Sequence, residues 1–169
     1  GAWYSYSRNL KIFVDRVREA GGNIIFCTPT ARRHFNEDQK TIFNSHGDYP
    51  EAMKTVARRE NVPVIDLTQK ATDFYETLGF EGSKKSLVHY PANTFANQDK
   101  PLADNTHFNP FGAWEIAKMV VMGLKEIGCP LTDYLRSDWQ DFDPKQPDDP
   151  DAFVWYMSDG GNLTKPDGN

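Results

Sequence analysis

Apolar residues recur along this chain in two rhythms, and the alternation between them predicts helices and strands in turn. Over residues 4–20, Leu10, Phe13, Val14 and Val17 fall at i, i+3, i+4 and i+7 while Lys11, Asp15, Arg16 and Arg18 face elsewhere, the stripe of an amphipathic helix. Gly21-Gly22 ends it. Residues 23–28 are a short, nearly continuous apolar run closed by Pro29, the pattern of a strand buried on both faces in a parallel sheet, with Cys27 as a small buried hydrophobe. Residues 30–49 are polar and aperiodic and read as a loop. Pro50 suits the first position of a second helix, with Met53, Val56 and Ala57 as its stripe. Residues 61–67 repeat the buried-strand pattern, with Pro63 near the start. Thr68 is placed to cap a third helix whose face is Ala71, Phe74, Tyr75 and Leu78, ending before Gly79. Residues 80–106 read as one long irregular connection, a length more often functional than idle. Asn109 and Pro110 then open a last helix with the stripe Ala113, Ile116, Ala117, Val120, Val121 and Leu124, stopped by Gly128 and Pro130.

This order is α/β in type, with a parallel sheet and right-handed crossovers. Two strands are too few for a doubly wound sheet, and each would expose an unpaired edge. The expectation is therefore the C-terminal part of a larger domain over residues 1–130. The remaining strands would come from residues outside the chain or from a second polypeptide. Residues 131–169 turn to Asp, Pro, Lys and Gln and read as an acidic, Pro-rich tail or linker, in which 153–157 (Phe-Val-Trp-Tyr-Met) could add a strand.

Composition narrows the function. A formal net charge of -5 over 169 residues argues against nucleic acid as a partner. No apolar run approaches the ~20 residues that a membrane span requires. The N-terminal Gly1-Ala2-Trp3 shows no basic, apolar leader. Two cysteines, Cys27 and Cys129, cannot make a disulfide framework. His34 and His46 lack metal-ligand spacing to Cys or acidic partners, His89 is unplaced, and no metal or organic cofactor is implied.

The chemistry concentrates in Asp104-Asn105-Thr106-His107-Phe108-Asn109-Pro110, which runs into the last helix. An aspartate three residues before a histidine can hold one imidazole nitrogen and leave the other for substrate, the orienter and base of a nucleophilic triad. A local Asx turn or capping role is the rival for the same residues. No serine here has a strand-turn-helix setting; Ser158-Asp159-Gly160 lies in the polar tail. Arg32 and Arg33 are either solvated charges or a guanidinium fork for a carboxylate.

Thr28-Pro29, Arg32-Arg33, Phe35, Tyr49-Pro50 with Met53 and Ala57, residues 64–67 (Val-Ile-Asp-Leu), and Asp104-x-x-His107-Phe108 with Gly112-Ala113 resemble, in order and spacing, the SGNH (GDSL-type) hydrolases. Within them the likeness is to the rhamnogalacturonan acetylesterase-type carbohydrate esterases, over roughly residues 5–128. The resemblance implies a three-layer α/β/α sandwich, hydrolysis of acetyl esters on pectic polysaccharide, a secreted or periplasmic location, His107 as general base and Asp104 as its orienter. It also implies that one of Arg32 and Arg33 meets a galacturonate carboxylate. The family's Gly-Asp-Ser nucleophile block and its oxyanion-hole glycine and asparagine have no counterpart in these residues. The chain by itself is then expected to be inactive, needing the N-terminal half of the domain. The alternative is a non-catalytic carbohydrate-binding or assembly module.

Overall fold

The computed structural model describes residues 1–154. A π-helical turn at Ala2–Tyr6 leads into α1 (Ser7–Glu19), followed by β1 (Phe26–Cys27), α2 (Tyr49–Glu60), β2 (Val64–Ile65) and α3 (Leu67–Gly82). A 3₁₀ turn at Ser83–Ser86 precedes β3 (Leu87–Tyr90) and β4 (Leu102–Phe108), and α4 (Pro110–Glu126) closes the series before a last 3₁₀ turn at Pro130–Tyr134. The architecture is mixed helix and strand. β1 and β2 pair in parallel, Phe26 with Val64 and Cys27 with Ile65, as the buried-strand patterns predict.

The parallel ladder divides the core. Phe26 and Val64 join Leu10 and Val14 of α1 and Met53, Val56 and Ala57 of α2 in one cluster. Ile65 and Leu67 join Phe74 and Tyr75 of α3 and Phe111 and Met119 of α4 in the other. Because strand side chains alternate, two residues suffice to feed both clusters. Burying one Phe or Val side chain contributes roughly 1.5–3 kcal/mol.

Several expectations are corrected. Residues 80–106 are not an aperiodic connection: β3 and β4 form an antiparallel pair, with Leu87 opposite Phe108 and His89 opposite Ala103. The Asn- and Pro-rich link between the strands hid the pairing. Cys27 is exposed rather than buried, because β1 has a neighbour on one edge only. Phe13 lies 59% exposed although it falls on the apolar stripe of α1. The cap of α3 is Asp66, which accepts from the Gln69 N–H; the Thr68 hydroxyl instead donates to the Pro29 carbonyl. Gly79, at φ 75°, interrupts α3 rather than ending it.

The fully buried residues of α4 are Phe111, Gly112, Glu115, Lys118, Met119 and Gly123; of the predicted stripe, Ile116, Val120 and Leu124 pack partly buried against the core while Ala113 and Ala117 are exposed. Glu115 is 0% and Lys118 7% exposed, joined Nζ to Oε1 at 2.7 Å. Two charges that neutralise each other occupy an interior face that a hydropathy pattern assigns to solvent. The tail lies against this surface: Asp148 reaches Lys118 at 2.7 Å, and the Phe153 ring meets Phe111 edge-on at 5.5 Å. Of the 153–157 patch, residues 155–157 fall outside the described residues, as does Ser158. Among the described residues no helix is long and apolar enough to cross a membrane.

Candidate active site

Asp104 and His107 stand near the end of β4, just before α4 begins. The Asn109 side chain fixes that junction. Its Oδ1 accepts the Gly112 N–H at 3.0 Å, capping α4, and its Nδ2 donates to the Lys85 and Leu87 carbonyls at 2.7 and 3.1 Å. Gly112 allows close approach: a Cβ there would lie 1.9 Å from the Ser86 carbonyl oxygen. Cap and glycine together hold the helix start against the strand that carries the pair.

The Asp104 carboxylate is fully used. Oδ1 accepts the Thr106 and His107 backbone N–H groups at 2.7 and 3.0 Å, and Oδ2 lies 2.6 Å from His107 Nδ1. The Asx turn and the His contact, which the sequence sets as rivals, coexist on the two oxygens. The His107 N–H, then its ring and the Thr106 N–H, push the Asp104 pKa down to about 2. A carboxylate accepting at Nδ1 selects the tautomer with its proton there and leaves Nε2 as a free base. The His107 side chain is 77% exposed, so that nitrogen is open to reactants. Among the described residues no serine is hydrogen-bonded to it, and none of their His, Cys, Asp and Glu clusters could hold a metal ion.

Arg32 and Arg33 part company. Arg32 is exposed, whereas Arg33 is 6% exposed and turned inward. Its Nε donates to Ser83 Oγ at 2.8 Å, Nη1 to Asn105 Oδ1 at 2.9 Å and Nη2 to the Phe80 carbonyl, and its guanidinium lies 4.9 Å from the Phe80 ring centroid. Asn105, between Asp104 and His107, also meets His89 Nε2 at 2.9 Å. Arg33 thus ties the loop after β1 to β4. Sequence reasoning missed His89 and Asn105; the β-prone run Leu87-Val88-His89-Tyr90 was the available signal.

No family model matches the chain, and no solved structure matches it. Among curated proteins, it is 41% identical over 133 residues to the rhamnogalacturonan acetylesterase RhgT of Bacillus subtilis (strain 168), covering 79% of this chain and 57% of that protein. The chain is related to the rhamnogalacturonan acetylesterases. A probable rhamnogalacturonan acetylesterase, YesY, of the same organism is 36% identical over 129 residues, covering 76% of the chain and 54% of its own length. The chain thus spans about half the length of these acetylesterase relatives.

Proposed function

We propose that this chain supplies the acid–base half of a serine carbohydrate esterase that hydrolyses acetyl esters on rhamnogalacturonan-type polysaccharide. The observation that carries the reading is the 2.6 Å contact between Asp104 and His107 Nδ1 beside an exposed ring, in a chain whose relatives are named acetylesterases. In this reading His107 Nε2 takes the proton of a serine supplied by residues outside these 169 as that serine attacks the acetyl carbonyl. The imidazolium then protonates the departing sugar alkoxide, and water repeats the sequence to release acetate. Asp104 holds the tautomer and steadies the imidazolium without itself taking the proton.

The reading makes residues 1–130 the C-terminal portion of a three-layer α/β/α domain, 131–169 its tail, and the whole protein secreted or periplasmic, where polysaccharide is met. Arg32, being exposed, is the arginine left to meet a galacturonate carboxylate. Without the nucleophile most of a roughly 10⁶-fold acceleration is lost, and missing oxyanion donors remove about 3–4 kcal/mol more. The 169 residues alone are therefore inactive. A purely carbohydrate-binding role is the weaker reading, since it leaves the Asp104–His107 geometry unused.

The test is acetate release from acetylated rhamnogalacturonan by the full-length protein. His107→Ala should lower it at least ~10³-fold and Asp104→Asn about 10⁴-fold, with folding intact. Activity of His107→Ala within tenfold of the parent removes His107 from the mechanism.

A further inference from the structure

Trp114 and Lys118 of α4 and residues 134–148 line an open cleft of about 870 Å³, to which Asp104 and His107 do not contribute. That size suits a small ligand rather than a protein partner. Its walls carry four aromatic rings, Trp114, Tyr134, Trp139 and Phe142. Tyr134 is 86% and Trp114 45% exposed, which leaves ring surface presented to the cleft and to water. Between the rings stand Asp138, Asp141, Asp143 and Asp148, with Gln140 and Gln146. We propose that this cleft binds a neutral oligosaccharide, its sugar rings laid on the exposed rings of Tyr134 and Trp114 and its hydroxyls donating to the carboxylates.

The charges already present decide the ligand class. An aromatic and acidic cleft could take a cation, but that position is filled from within: Lys118 Nζ lies 4.2 Å from the Phe142 ring centroid and 5.9 Å from that of Trp114. An anion finds no open cation either. Lys118 is held at 2.7 Å by both Glu115 and Asp148, and Arg136 forms a two-point pair with Asp138 at 2.9 and 2.8 Å. The surplus carboxylates repel a polyuronate. They also make poor walls for a purely apolar ligand, because burying them unpaired is costly. What remains is a flat, uncharged molecule with an apolar face and many hydroxyl donors. A pyranose ring fits that description, its C–H face suited to an aromatic plane and its hydroxyls to ionised acceptors. The inference does not use the Asp104–His107 chemistry and stands or falls separately from it.

The test is titration of the full-length protein with galactotetraose, followed by tryptophan fluorescence, beside tetragalacturonate as the charged counterpart. Expected is saturable binding of galactotetraose with Kd at or below about 5 mM, and no tetragalacturonate binding that Tyr134→Ala weakens, since any held by the exposed Arg32 lies outside the cleft. Tyr134→Ala should weaken the neutral ligand at least fivefold; its exposure makes the variant safe for folding, which an unchanged near-UV circular dichroism spectrum checks. The proposal is overturned by absence of saturation with galactotetraose up to ~20 mM, by tetragalacturonate binding that Tyr134→Ala weakens as much as it weakens galactotetraose binding, or by Tyr134→Ala losing less than fivefold in galactotetraose affinity.

Discussion

Gly112→Ala sets two effects of opposite sign against each other. Alanine is the better helix former by roughly 0.8–1 kcal/mol, so propensity alone predicts a more stable α4. The added methyl, however, would sit 1.9 Å from the Ser86 carbonyl oxygen, 2.9 Å from its carbon and 3.0 Å from the Phe108 ring. Two of these neighbours are backbone, so no rotamer change relieves the clash, and α4 would have to retreat by about 1.5 Å to regain ordinary contact. Overpacking of this kind costs typically ~1–3 kcal/mol, more when backbone must move. Here the retreat would also stretch the Asn109 bonds to Lys85 and Leu87. Sterics should win, with a net loss of about 2–4 kcal/mol. Gly82→Ala is the control: the nearest atom is Leu78 Cβ at 3.8 Å and φ is -61°, so it should gain about 0.5–1 kcal/mol. Urea denaturation of parent and both variants reads both signs. A Gly112→Ala protein as stable as the parent would refute the argument that close approach of α4 to Ser86 fixes the junction beyond His107.

Asn109→Ala removes the cap of α4 and orphans the Lys85 and Leu87 carbonyls, and should cost about 2–3 kcal/mol in the same urea assay; a loss below ~0.5 kcal/mol would contradict the capping role. Lys118→Met leaves Glu115 buried without its partner and should cost about 3–5 kcal/mol, whereas the double variant Glu115→Leu/Lys118→Met should recover most of it; additivity of the two changes would exclude the coupling. Asp104 binds fewer protons folded than unfolded, since its pKa lies at about 2 against an ordinary 3.8. Its contribution is therefore complete above the ordinary value and is lost as pH falls towards about 2. The ¹³C shift of its carboxyl carbon should titrate near that lower value, and a midpoint at or above 3.8 would mean that the turn and the His107 contact do not hold in solution.

Legibility in the sequence followed the physics of each element. The stops at Gly21 and Gly128, the Asn109 cap and the 104–107 spacing were readable because each rests on contacts within a few residues, and the two parallel strands because each is a compact apolar run, although their pairing, Phe26 with Val64, is distant in the chain. Three failures share one cause, a pairing that the hydropathy pattern does not record. β3 and β4 pair across a link of Asn and Pro, and β4 carries half-buried Asp104 and exposed His107 where a strand pattern would show alternation. Glu115 and Lys118 hide the inner face of α4 because a charge can be buried only with its partner, and pairing has no hydropathy signature. Arg33 looked like a surface charge beside Arg32, but its acceptors lie 47 to 72 residues away on Phe80, Ser83 and Asn105.

That last network bears on how the pair on β4 could work. The Asp104–His107 contact is short, yet the ring is 77% exposed, and a contact so open to water is screened and contributes little. Steadying an imidazolium by the margin that acyl transfer demands requires a fixed geometry and a site from which water is excluded. The chain provides the first requirement from below. Arg33, itself buried, holds Asn105, while Asn109 and Gly112 hold the strand end against α4. The second requirement is met only when other residues close over His107 from above, where a serine hydroxyl must also arrive. Under the proposed esterase reading, a held imidazole with an uncovered face fits an acid–base half, and the same exposure predicts that catalytic power appears only upon assembly with the nucleophile.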